Sequence, residues 1–138
     1  MNPILKNILA VIVGIVVGSV VNMGIIMISS SIIPLPEGVD PSNIESINAN
    51  IHLYGAQHFI LPFIAHALGA LVGAFLAAKI AATHKMKFAL GIGVFFLLGG
   101  IYAATLINSP MWFKVLDILI AYIPMGWLGG KWATKGGV

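Results

Sequence analysis

Apolar residues in this chain arrive in long runs with polar punctuation between them. No charge falls between Lys6 and Glu37, and similar runs cover Gln57 to Lys79, Phe88 to Ile107 and Trp112 to Trp132. Each is long enough, at ~1.5 Å per residue, to cross ~30 Å of hydrocarbon. The pattern predicts an all-α polytopic membrane protein forming one domain over 1–138. Four transmembrane helices, at about 4–33, 57–82, 86–108 and 112–133, would pack as a bundle. The first run exceeds a secretory leader and lacks an A-x-A-like cleavage site, so it is expected to be a retained anchor. Trp112 and Trp132 bracket the fourth run at the interfaces preferred by amphipathic rings.

The segment 34–56 breaks the pattern. Prolines at 34, 36 and 41 forbid a continuous helix. Ser42 and Glu45 match an S-x-x-E capping box, and Ile44, Ile47, Ile51 and Tyr54 recur at helical spacing before Gly55. A short amphipathic helix on the outer surface is expected, either sealing the bundle or floating in the headgroups, or lidding a cavity.

Small residues mark the contact faces. Ala10, Gly14, Gly18 and Asn22 stand four apart, as do Ala65, Gly69, Gly73 and Ala77. Apolar helices in lipid associate through such close backbone approach. Asp117, Ala121, Met125 and Gly129 form a comparable face in the fourth span, and Gly93, Gly99, Gly100, Ala103 and Ala104 offer one in the third. Any part of a stripe left over could serve a homo-oligomer. A faint echo, Lys6 with Gly18–Ser19 against Lys87 with Gly99–Gly100, fits two hairpins in parallel repeat.

Composition agrees with a lipid solvent: 59% of residues are hydrophobic, 8% are charged and the mean hydropathy is +1.04. With both termini cytoplasmic, Lys6, Lys79, Lys85, Lys87, Lys131 and Lys135 share one side, leaving Lys114 as the exception among seven basic residues. That is the positive-inside pattern of a bacterial inner membrane. A net charge of +3 spread over scattered lysines gives no basic face for nucleic acid. The absence of cysteine removes thiolate metal sites and disulfides.

Polar residues within the spans gather toward the outer leaflet, and the inner half is apolar, alanine and glycine. Asn22, His58, His66, Tyr102, Asp117 and Tyr122 are the candidate ligand-binding residues of an outward-facing polar pocket. His66 beside the Ala65–Gly69 stripe should meet Asp117, the only acid in any span, because an isolated membrane carboxylate costs at least ~2.5 kcal/mol at the midplane. Such a pair serves either helix register or a site for a small solute, ion or proton. His58 is expected near the interface. Met23 and Met27, with His52, His58 and Met111 on the same side, could offer soft Cu(I) ligands, although methionine at helical spacing usually fills gaps.

No cofactor is expected. The chain has no P-loop, dinucleotide fingerprint or H-E-x-x-H motif, and His58 and His66 on one helix are poorly placed for haem. No nucleophile and base arrangement singles out an enzyme reaction. Two function classes remain: a binding or transport module, and a non-catalytic interaction or scaffold protein whose intramembrane polar residues are structural. The runs IAHALGALVGAFLAAKIAATHKMKFALGIGVFFLLGG and AYIPMGWLGGK resemble a family of small four-helix bacterial inner-membrane proteins without an assigned activity, and the resemblance implies a fold alone. The chain differs from fluoride channels in motif, and from small multidrug exporters in lacking a membrane glutamate in its first helix.

Overall fold

The computed structural model describes residues 1–135; positions 136–138 of the expected single domain lie outside them. The described residues are helical, without strands. Helix α1 (Pro3–Ile32) starts with proline in its first turn, where no intrahelical N–H is needed, and Asn2 Oδ1 accepts from the Ile4 N–H at 2.8 Å. It stops at Ile33, which is extended (φ −122°, ψ 97°) as the residue before a proline must tend to be. Helices α3 (Ile60–Ile80) and α4 (Lys85–Leu106) follow. They are joined by a tight turn at His84, the one non-glycine residue with positive φ (48°) among those described.

The shared end of these helices is fastened by polar side chains. Asn7 Oδ1 accepts from the Ala82 N–H at 2.8 Å, and its Nδ2 donates to Thr83 Oγ1 at 3.0 Å. Lys85 Nζ donates to the carbonyls of Ala81 (2.6 Å) and Ala78 (3.2 Å), placing a cation on the carbonyl end of α3. Thr134 shares a surface recess with 82–87. The six lysines grouped by the sequence pattern therefore lie at one end of the molecule with the beginning and end of the described chain, and 34–56 and Lys114 lie at the other.

Four spans are long and apolar enough to cross a membrane: Pro3–Ile32, Ala56–Ile80, Lys85–Leu106 and Met111–Thr134. The fourth departs from the expected straight helix. It is divided into α5 (Met111–Ile120) and α6 (Ile123–Thr134), with Tyr122 at φ −115°, ψ −75° between them. The cause is Pro124, which has no N–H to donate and whose ring crowds the preceding turn.

Helix α3 is central and packs against α1, α4 and α6. Its buried residues are all alanine or glycine, from Ala65 to Ala78. The seam with α1 is reciprocal: a methyl group added at Gly73 would lie 2.6 Å from the Gly14 carbonyl oxygen, and one at Gly14 would lie 2.8 Å from that of Gly73. Gly18 and Gly69 repeat the arrangement one turn along, at 2.7 and 2.9 Å. Both stripes anticipated from spacing thus meet each other. On α6, Gly129 abuts the α3 backbone at Leu71 and Phe75, and Gly126 meets Gly93 of α4. Gly99 has nothing within 4 Å, so unlike Gly18 it is not a packing residue. Outside this seam the surface is greasy: Ile4, Ile8, Ile12, Val16, Val20 and Met27 of α1 are each more than half exposed. That face suits lipid rather than water.

Helix α2 (Ile44–Asn50) forms within 34–56 as expected, but its cap sits one residue later than the S-x-x-E pattern implied. Asn43 Oδ1 accepts from the N–H groups of Glu45 (2.9 Å) and Ser46 (3.2 Å), whereas the Ser42 hydroxyl donates to Asp40 Oδ1 at 2.6 Å. Asn48 clips α2 to the turn after α4: its Nδ2 donates to the Leu106 carbonyl and its Oδ1 accepts from the Asn108 N–H, both at 2.8 Å.

Candidate functional site

At the end opposite the six lysines, the helices splay around a cavity of about 300 Å³. Its roof is the amphipathic segment itself. Ile44, Ile47, Ile51 and Tyr54, the residues that recur at helical spacing, all line the cavity. An aromatic wall stands beside it, with Phe59 against Phe113 (centroids 4.8 Å apart), Trp112 (5.8 Å) and Tyr54 (5.7 Å). Partial burial raises the Tyr54 hydroxyl above the usual phenol range.

The floor is polar. His66 Nδ1 lies 2.8 Å from Asp117 Oδ1 and 3.0 Å from Oδ2. A carboxylate can only accept, so the Nδ1–H donates, and in the neutral imidazole Nε2 carries the lone pair. Tyr122 supplies a second donor, its hydroxyl reaching Asp117 Oδ2 at 3.2 Å, while its ring stacks on the imidazole at 5.8 Å and 24°. Asp117 is 7% exposed through its side chain, His66 21%. The carboxylate is thus enclosed and served by donors on two sides, and the imidazole keeps an open edge on the cavity. No hydrogen bond joins His66 Nε2 to the protein among the described residues. Gly100 completes the floor: a side chain there would strike the Tyr122 hydroxyl.

The structure therefore brings together His66, Asp117 and Tyr122 of the six sequence candidates. His58 also borders the cavity, but both its nitrogens are engaged. Nδ1 accepts from the Gly55 N–H at 2.8 Å and Nε2 donates to the Pro34 carbonyl at 3.1 Å, so the ring is a strut between the start of α3 and the chain leaving α1. Asn22 lies in the α1–α3 seam against Gly69, away from the cavity, with its Oδ1 buried and unpartnered. Tyr102 is 67% exposed on the outer face of α4 and is not part of the cavity wall. Met23, Met27 and Met111, the candidate soft-metal ligands, are each more than half exposed, and none of them borders the cavity. Among the described residues no three His, Cys, Asp or Glu side chains converge as a metal site.

The cavity is also less polar than the sequence led one to expect: isoleucine, leucine, phenylalanine and alanine dominate its walls. The polar positions were read by depth, whereas the same helices contribute apolar side chains between them. Lys114, set aside in the sequence as a topological exception, is a wall residue one turn before Asp117 on α5. It makes no ion pair among the described residues. Its i, i+3 spacing from the only acid within an apolar span was the available signal. No protein-family model, curated protein or solved structure matches this chain.

Proposed function

We propose that this is a bacterial inner-membrane protein, termini cytoplasmic, that binds a small amphipathic molecule in an outward-facing cavity beneath α2. The observation that carries the reading is the open edge of His66. A half-buried imidazole is fixed through Nδ1 by Asp117 and left with a free nitrogen on a mainly apolar cavity. An apolar volume with a few convergent polar groups is the usual form of a small-molecule site. The lysine distribution supports the orientation. Below the floor, the alanine and glycine contacts of α1, α3, α4 and α6 close the chain, which favours binding over conduction through one protomer.

The natural absence of cysteine makes the test direct. Ala104, a wall residue, is replaced by cysteine and treated in intact spheroplasts with a membrane-impermeant maleimide. The expected result is labelling from outside without permeabilisation, while a cysteine at Thr83 in the opposite turn reacts only after permeabilisation. Labelling of Thr83→Cys from outside would invert the topology, and an Ala104→Cys thiol that is inert in both conditions would remove the accessible cavity.

A further inference from the structure

We infer that the ligand of this cavity is a neutral, compact molecule whose hydroxyl group donates to His66 Nε2. The inference rests on the binding function proposed above and specifies its ligand class.

Size sets the first limit. A cavity of about 300 Å³ lies at the lower end of the range of small-molecule sites, which favours a compact ligand. The direction of polarity sets the second. In a lipid the polar head lies at the surface and the tails below. Here the isoleucines of α2 lie at the surface, with Tyr54, Gln57 and Lys114 around them, and the ring nitrogen left without a partner sits beneath them at His66. A fitting ligand carries its polar atom inward and its apolar body toward α2.

Charge sets the third. The wall contains one carboxylate, Asp117, and one amine without an ion-pair partner, Lys114; His58 spends both nitrogens on the backbone. With His66 neutral, these two charges cancel across the cavity, so neither a cation nor an anion gains a net field. Hydrogen bonding sets the fourth. Asp117 holds the proton on Nδ1, so in the neutral imidazole Nε2 is an acceptor, and the Tyr122 hydroxyl is already committed to Asp117. The free group on the floor therefore asks for a donor. A hydroxyl supplies one without charge, whereas an ether or hydrocarbon of the same shape leaves Nε2 buried and unpaired.

The test uses four compounds with a shared 4-propylphenyl body: 4-propylphenol, 4-propylanisole, 4-propyltoluene and 4-propylbenzoate. Each is titrated against the rate of maleimide labelling at Ala104→Cys in nanodiscs, with concentrations corrected for partition into protein-free nanodiscs. The phenol is expected to protect at about tenfold lower free concentration than the anisole or toluene, the equivalent of one hydrogen bond. His66→Phe should abolish that difference. Because a substituted protein can misfold, the unsubstituted chain carries a second readout. The ¹⁵N resonance of His66 Nε2 should move upfield when phenol is added and stay in place with anisole. Equal protection by phenol, anisole and toluene would overturn the hydroxyl assignment while leaving the binding function intact. Benzoate protecting best, with the advantage lost in Lys114→Ala, would replace it with an anion site. No protection by any of the four, at an accessible thiol, would overturn the binding function itself.

Discussion

Gly73→Ala is the substitution that most directly tests how these helices hold together. The added carbon would sit 2.6 Å from the Gly14 carbonyl oxygen and 3.3 Å from side-chain carbons of Ile92 and Phe96. Against an ordinary contact of 3.4 Å, the shortfall at the carbonyl is about 0.8 Å. Because the obstacle is backbone, no rotamer relieves it, and α1 must move off α3 as a unit. Overpacking of this kind costs ~1–3 kcal/mol, and a rigid obstacle belongs in the upper part of that range. Replacing a mid-helix glycine by alanine returns up to ~1 kcal/mol of helix propensity. The expected net loss is about 2 kcal/mol. Gly99→Ala provides the counter-case on α4: with nothing within 4 Å, it takes the propensity gain without a clash.

The two single-methyl variants should therefore differ by about 3 kcal/mol, more than a hundredfold in the unfolding constant. Reversible unfolding in mixed micelles, followed by helical circular dichroism as the denaturing detergent fraction rises, reads that difference. If Gly73→Ala unfolds at the same midpoint as Gly99→Ala, close backbone approach is not what joins α1 to α3, and the glycine-seam account of the fold fails.

Three further outcomes follow from the site and the loop. In a double-mutant cycle, His66→Ala or Asp117→Leu alone should cost ~3 kcal/mol by stranding its partner, and the pair should cost clearly less than the sum; additive losses in the same micelle assay would deny the coupling. Tyr122→Phe should cost ~1 kcal/mol for one hydrogen bond and Gly100→Ala more, because it displaces the whole ring, and equal costs would remove Gly100 from the floor. The Ser42 hydroxyl and N–H hold Asp40 below its ordinary 3.8. Since a depressed carboxyl stabilises the folded loop above its unfolded pKa and loses that effect as pH falls through the folded one, the order of 40–50 should weaken only below about pH 4. A ¹³C carboxyl titration should show Ser42→Ala moving Asp40 upward, and an unchanged titration would exclude the contact.

Much of this geometry was legible because glycine and charge act locally. Stripes four residues apart on two spans can meet in only one way if both are to pack closely, and Gly14–Gly73 and Gly18–Gly69 do so. A lone carboxylate and a nearby imidazole on different spans have few alternatives to each other, hence His66 and Asp117. Rotation of α4 was not legible. That helix is apolar nearly all round, so its pattern does not distinguish the Gly93–Gly100 face, which packs, from the Gly99–Tyr102 face, which is exposed. The identity of the α2 cap escaped for a different reason: serine and asparagine both cap well, and Asp40 draws Ser42 away from the role.

The break in the fourth span joins these two lessons. On an unbroken α-helix, a residue five positions after Asp117 points about 140° away from it. Tyr122 occupies that position, and its hydroxyl nevertheless reaches Asp117 Oδ2. The contact exists because the chain departs from helical geometry at Tyr122, and it departs there because Pro124 cannot continue the ladder. The turn that sends α6 back toward α3, seating Gly129 against Leu71 and Phe75, also folds the tyrosine beneath the carboxylate. A proline that reads in sequence as an imperfection of the last span is thus what lets one enclosed carboxylate receive donors from two directions. With that carboxylate satisfied, His66 is held in a single orientation and its remaining nitrogen is left to the cavity.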